Sequence, residues 1–270
     1  MGIRMDKDGS LLVVDAYFGL FRVNKTDGAY ETLYTTSFHV AQKQPRFLTD
    51  LDIGPDGKIY FVDASTKYYK NQYHYALLEM SSSGRLLMYD PKTKVTLQLA
   101  DQLAYPFGVQ LSKDKTGVLI TSPLLHAIYR YDLKTRNVSV WTEGLPGMPL
   151  GIRYSESSDS YWLAMSSPRS VERPNMFENL AKSPSNRRYA AKFVSMDMIE
   201  TLRQEHGFTN EAMVAEVTAS GTIGRVLQDS NTNPLGAVTE AQHVNGVLYT
   251  SSFFGADAVH TVNLKHKSRS

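Results

Sequence analysis

Four short segments hold the residues best placed to do chemistry: Thr49-Asp50, Phe107-Gly108, Leu150-Gly151 and Thr239-Glu240. Each opens a short apolar run, and the argument below brings these openings together on one axis. Carboxylates and amides at converging strand ends are oxygen ligands for a hard cation such as calcium. Only Asp50 and Glu240 are anionic here. Two carboxylates opposite Phe107 and Leu150 make a poor cage for an ion that takes roughly six to eight oxygens. Asp50 is then the single retained candidate ligand, and no metal or other cofactor is expected. The same residues suit a partly apolar pocket for a small apolar or ester ligand. The other reading is that Phe107 and Leu150 simply plug the channel.

Other chemistries are excluded by what is missing. The chain has no cysteine, which removes disulfides, thiolate metal sites and a cysteine nucleophile. There is no G-x-S-x-G elbow, H-E-x-x-H helix, phosphate loop or G-x-G-x-x-G turn. The histidines, His39, His74, His126, His206, His243, His260 and His266, show no metal-ligand spacing and read as surface or paired side chains. Lys plus Arg is 29 and Asp plus Glu 27, so no field argues for nucleic acid or an anionic membrane. No apolar run is long enough to span a bilayer, and the opening residues, with Arg4, Asp6, Lys7 and Asp8, are not a signal peptide. The catalytic residues, if any, stay unknown at this level.

The elements that position these residues follow from a repeat. Asp8-Gly9 precedes Leu11–Val14, Asp56-Gly57 precedes Ile59–Val62, Thr116-Gly117 precedes Val118–Ile120, and Asn245-Gly246 precedes Val247–Tyr249. Ser158-Asp159 before Tyr161–Leu163 is a weaker copy. Asp-Gly and Asn-Gly between apolar runs signal hairpins, because Gly accepts positive φ without strain. Upstream of the turns lie Gly2–Arg4, Asp50–Ile53, Gly108–Leu111 and Gly151–Tyr154; downstream lie Gly19–Val23, Gly84–Asp90 and Ala127–Asp132. Four antiparallel strands per unit, repeating at roughly 45–58 residues, is the pattern of a β-propeller blade. Five units are legible, spanning 1–264 and followed by a basic tail at 265–270. In such a fold the first strands of all blades converge on the axis.

Between the fourth and fifth units the pattern breaks. Met176, Phe177 and Leu180, then Phe193, Met196, Met198, Ile199 and Leu202, have helical spacing, with Pro184 separating the stretches. This is either a helical insertion near 175–206 capping one face, or a loop packed on the rim. Arg187-Arg188 and the tail read as solvated charge. Two N-x-S/T sequons, at Asn24 and Asn137, fall where loops or outer strands are expected and are candidate glycosylation sites.

These segments resemble a known family. Phe47–Leu51, Ile59–Ser65, Gly84–Asp90 and Leu103–Ser112, in that order and spacing, are similar to the conserved region of the strictosidine synthase-like family, about 48–135 here. Val14–Phe21 and Pro146–Arg153 extend the match. The resemblance implies an all-β, six-bladed β-propeller of the strictosidine synthase/paraoxonase type. It also implies an arylesterase-like activity, hydrolysis of small esters by metal-polarised water. Animal members are membrane-anchored with the propeller outside the cytosol. Their anchor and first blade lie upstream of the point matching Met1, so this chain is expected to lack its first blade and to be a fragment. It would then be soluble alone and meet a membrane only through that upstream anchor.

The departures bear on activity. Where the family carries Asn-Asp, Asn, and Asp-Asn or a similar polar pair, this chain has Thr49-Asp50, Phe107 and Leu150-Gly151. In paraoxonase-like relatives those groups hold the catalytic calcium. The glutamate that strictosidine synthase uses for condensation corresponds to Thr239, whose hydroxyl cannot serve as a general acid–base carboxylate. Its neighbour Glu240 should face the other way on a strand. Alkaloid synthesis is therefore not expected. An ester hydrolase with its calcium positions largely lost, or a non-catalytic extracellular ligand- or protein-binding propeller, remain.

Overall fold

The computed structural model describes residues 2–80, 82–169, 181–193, 195, 198, 211–229, 238–252 and 258–264. Its strands form five antiparallel sheets, each a meander in chain order. The first blade holds β1 (Ile3–Met5), β2 (Leu11–Asp15), β3 (Gly19–Val23) and β4 (Tyr30–Thr35). The second holds β5 (Leu48–Ile53), β6 (Ile59–Asp63), β7 (Gly84–Asp90) and β8 (Val95–Leu103). The third holds β9 (Val109–Leu111), β10 (Gly117–Ser122), β11 (Ala127–Asp132) and β12 (Val138–Thr142). The fourth holds β13 (Met148–Ser155), β14 (Ser160–Ser166), β15 (Ala212–Thr218) and β16 (Ile223–Asp229). In the fifth, β17 (Val238–Val244), β18 (Val247–Ser252) and β19 (His260–Asn263) are described.

The described chain is thus an all-β propeller of five blades, not six. No strand of the first blade pairs with one of the fifth among the described residues, so no shared sheet closes the ring there. Among the described residues, nothing covers one apolar face of the first blade. Val13, Phe21, Val23 and Tyr30 line a groove of about 640 Å³ on it. The conserved region at 48–135 covers the whole second blade and much of the third. The basic tail at 265–270 lies outside the described residues.

The repeat works because the second strands of the middle three blades are buried on both faces, while β2 and β18 alternate. Every residue of β6, β10 and β14 is buried, whereas β12 is mostly exposed. Apolar side chains of adjoining blades interlock between them. Leu12, Val14 and Leu20 pack on Leu51 and Phe61, and Tyr60, Val62 and Leu86 pack on Val118 and Ile120. At roughly 25 cal/mol per Å² of buried apolar surface, these interblade layers are the main term holding the ring together. The Asn245-Gly246 turn has φ of 50° and 85°, the left-handed pair a two-residue hairpin demands.

The turn of the third blade is tied by Asp114, whose Oδ1 accepts from Ser112 Oγ at 2.5 Å and Thr116 N at 3.0 Å. These bonds hold its carboxyl at about 2, below the ordinary 3.8. A depressed carboxyl contributes stability above its unfolded value and loses it as pH falls through the folded one. Asp114→Asn should therefore melt below the wild type at pH 6. The gap should close between pH 3.8 and about 2, read by thermal melts across that window. A gap that is unchanged with pH would remove the ionised carboxyl from the account.

The excursion from the fourth blade lies between β14 and β15. Within it the structure describes one helix, α2 (Pro184–Phe193), while α1 (Tyr73–Glu79) lies between β6 and β7. Pro184 does not divide two helices here; it opens α2, where a missing N–H costs nothing. The helical spacing at Met176–Leu180 falls outside the described residues, as do Met196, Ile199 and Leu202. α2 packs on α1, and Arg187 Nη1 meets Met80 Sδ at 3.2 Å. The loops carrying both helices join second strands to third strands, so both sit at the end of the ring where the inner strands begin. Arg187 is therefore partly engaged in that packing rather than wholly solvated.

Candidate functional site

Glycine sets how closely the inner strands approach one another. A Cβ on Gly108 would stand 2.3 Å from Leu150 O, and one on Gly151 would stand 2.7 Å from Thr239 O. A Cβ on Gly2 would stand 2.2 Å from Asp50 Oδ1. Three blades therefore reach the axis only because these positions carry no side chain. The register also shifts between Leu48 and Leu51, between Pro149 and Ile152, and between Val238 and Glu240. Such bulges re-aim side chains and occur next to functional sites.

The groups brought together on the axis are charged. Arg153 on β13 gives a two-pronged bond to Asp50 on β5, with Nη1 to Oδ2 at 2.8 Å and Nη2 to Oδ1 at 3.0 Å. Its Nη2 also donates to Glu240 Oε2 on β17. Arg4 on β1 lies 3.5 Å from Asp50 and 3.6 Å from Asp52. Asp50 Oδ2 also accepts from Val109 N at 2.9 Å. Asp52 Oδ2 accepts from Gln110 Nε2 at 2.8 Å and Leu111 N at 2.7 Å. Gln110 Oε1 takes Tyr154 N at 3.2 Å. One hydrogen-bonded and ionic chain thus crosses all five inner strands.

Burial and charge oppose each other in this network. Burial pushes the Asp50 carboxyl up, but the Arg153 and Arg4 guanidiniums outweigh it and hold it below the carboxylate range. For Glu240 burial wins: its carboxyl is raised although Arg153 pulls it down, and Asp50 adds repulsion. Its side chain keeps 36% of its surface exposed, yet Oε1 is sealed with no hydrogen-bond partner. Arg153 is held charged by Asp50 and Glu240 against the cost of burial.

Where the inner strands begin, a buried apolar cluster adjoins the charged layer. Phe47, Tyr105, Leu124 and Met148 form a cluster with Leu77 of α1, and partly buried Phe107 packs on it. Thr49 Oγ1 donates to Phe107 O at 2.7 Å, and Thr121 Oγ1 donates to Leu150 O at 2.7 Å. Leu150 is 7% exposed. Thr239 Oγ1 donates to Ser251 O at 3.3 Å within its own blade. The expected residues therefore part company. Asp50 and Glu240 meet through Arg153, buried Thr49 is tied to Phe107 O, buried Leu150 has its carbonyl bound by Thr121, and Thr239 turns back to its own sheet.

Arg4, Asp52, Gln110 and Arg153 were not among the expected site residues. The signal for Arg4, Gln110 and Arg153 was present in the triplets Gly2-Ile3-Arg4, Gly108-Val109-Gln110 and Gly151-Ile152-Arg153. Each carries a polar side chain two residues after an axis-facing glycine, the spacing that returns a strand residue to the same face.

A calcium ion does not fit these groups. Both Asp50 oxygens are engaged by Arg153 and Val109 N, Thr49 is tied to Phe107 O, and Phe107 and Leu150 bring no side-chain oxygen. Among the described residues no three His, Asp or Glu side chains are arranged to hold a metal ion. No described helix is long and apolar enough to cross a membrane.

A β-propeller whose axis is crossed by side-chain ion pairs is the class that fold and site define. A family model described as strictosidine synthase matches residues 49–136. The adipocyte plasma membrane-associated proteins of Mus musculus and Rattus norvegicus are each 35% identical to it over 257 residues. Those alignments cover 94% of this chain and 60% and 67% of the relatives, respectively. The chain belongs to the strictosidine synthase-like family. It spans about 60% of the length of the mouse relative. Among solved structures, a gluconolactonase from Xanthomonas campestris superposes with a TM-score of 0.61 at 13% identity, covering 97% of this chain and 71% of that one. The calcium-binding protein regucalcin of Agrobacterium tumefaciens superposes with a TM-score of 0.58 at 11% identity, covering 95% and 68%. Both likenesses are of fold.

Proposed function

We propose that this propeller binds a small apolar ligand of the ester class at its axial mouth, without calcium and without hydrolysing it. The observation that carries this reading is the commitment of Asp50 to Arg153 and of Thr49 to Phe107 O, beside Phe107 and Leu150. A hydrolase that polarises water with a metal needs open ligand positions. Here those positions are filled by a guanidinium or by carbon. The apolar cluster beside α1 is itself buried, and partly buried Phe107, Tyr68 and Tyr73 at its edge supply the apolar character that small-ligand sites favour.

Thermal melts in millimolar calcium chloride or EDTA, alongside phenyl acetate hydrolysis, test the reading. The midpoint should be the same in both, because a ligand raises it only by binding the folded state. Phenyl acetate should raise the midpoint in EDTA while its hydrolysis stays at the buffer rate. The second reading, an ester or lactone hydrolase, is favoured by the family and by the gluconolactonase likeness. A calcium-raised midpoint with calcium-dependent turnover would put it ahead.

The relatives' names place them at a plasma membrane, and a propeller facing away from the cytosol fits that placement. Asn24 and Asn137 are both exposed on hairpin turns, with Asn24 Oδ1 accepting from Thr26 N at 2.9 Å. That exposure supports N-linked glycosylation, which an endoglycosidase mobility shift on the chain expressed behind a secretion signal would test.

A further inference from the structure

We infer that Arg153 is the resident cation of the axis: its guanidinium does for the inner strands what a bound divalent ion does in calcium-dependent propellers. This goes beyond the binding reading and holds whether or not the mouth takes a ligand. Acidic side chains converging on a low-dielectric axis repel one another unless a positive charge lies among them. Asp50 is 3% exposed and Arg153 6% exposed, so solvent does little of that neutralisation. Arg153 reaches Asp50 of the second blade with both prongs and Glu240 of the fifth with one of them. Arg4 adds a second positive charge from the first blade, beside Asp50 and Asp52.

The geometry favours a guanidinium over a metal. A planar fork matches the two oxygens of one carboxylate and still directs an N–H to another. Arg153 Nη1 also donates to Ile152 O at 2.6 Å, which fixes the head group against its own strand. The neighbouring positions support this arrangement. Thr49 turns its hydroxyl to a carbonyl, and Phe107 and Leu150 present carbon, so no oxygen shell competes for the centre. The fourth and fifth blades are therefore joined to the second through one side chain.

Removing that side chain leaves Asp50 buried beside an empty guanidinium-sized space. Arg153→Ala should melt at least about 6 °C below the wild type. That corresponds to an unpaired buried charge at about 2–4 °C per kcal/mol for a domain of this size. Methylguanidinium chloride at tens of millimolar should restore part of the midpoint. Sodium chloride of equal ionic strength should not. The double variant Asp50→Asn with Arg153→Ala removes charge from both sides and should melt above Arg153→Ala. It also keeps the test open where the single variant does not fold: a folded double variant beside an unfolded single one supports the inference. Three results would overturn it. They are an Arg153→Ala midpoint equal to the wild type, no gain from methylguanidinium beyond that from sodium chloride, or a double variant no more stable than the single one. The last would mean that packing, not charge, was lost. None of these readouts involves ligand binding or ester turnover, so their failure is distinct from failure of the binding reading.

Discussion

Arg85→Met is expected to cost about 3–5 kcal/mol, the range for breaking a buried ion pair from one side. Arg85 is 1% exposed and its partner Asp63 is fully buried. Nη2 and Nε reach Asp63 Oδ2 at 2.8 and 3.2 Å, and Nη1 donates to Val40 O at 2.7 Å and Gln98 Oε1 at 3.3 Å. Asp63 Oδ1 in turn accepts from Phe47 N at 3.1 Å and Arg46 N at 3.3 Å. Burial alone pushes that carboxyl up, and Arg85 is what opposes it. The pair clamps the segment entering β5, so its loss should also displace Thr49 and Asp50. Against a total stability of about 5–15 kcal/mol, the change should be visible as a large drop in the urea midpoint. The double variant Asp63→Asn with Arg85→Met should recover much of it, since two neutral groups leave no uncompensated charge. A midpoint change of the single variant under about 0.5 kcal/mol, the range of an ordinary surface substitution, would sink this account.

Gly108→Ala should be nearly as severe, at about 3 kcal/mol, because the added methyl has no room. Its Cβ would meet Leu150 O at 2.3 Å, Thr121 Oγ1 at 3.1 Å and Gly151 Cα at 3.2 Å. The first and last are backbone atoms of the next blade and cannot rotate away. Gly108 N also donates to Thr121 Oγ1 at 2.7 Å, which continues to Leu150 O, so a shift of β9 breaks that relay as well. Urea unfolding gives the magnitude. Hydrogen exchange at Val109 N, which donates to Asp50, should report faster opening at the axis. Unchanged protection at Val109 with a lowered midpoint would place the strain elsewhere.

The two substitutions act on opposite sides of what could be read from the chain. Strand period, hairpin turns and the apolar runs of the second strands are local properties. Asp56-Gly57 before Ile59–Val62, or Asn245-Gly246 before Val247–Tyr249, dictates a turn and a strand with no knowledge of distant residues. The five blades were legible for that reason, and the family through its resemblance in the ordered segments from Phe47 to Ser112. A helical insertion near 175–206 was legible too, but not its bounds: α2 spans Pro184–Phe193, and Pro184 opens it rather than dividing two helices.

The axis lay beyond sequence reading for a different reason. Asp50, Arg153 and Glu240 stand on three separate blades, and nothing local says which side chains meet when a ring forms. The bulges between Leu48 and Leu51 and between Val238 and Glu240 defeat simple alternation where it mattered. Residue types alone therefore determined that calcium lacks its oxygens here: Phe107 and Leu150 carry none. Only the tertiary structure decided what neutralises Asp50, because pairing charges across a ring depends on where three strands converge, and convergence is a property of the closed packing rather than of any one strand.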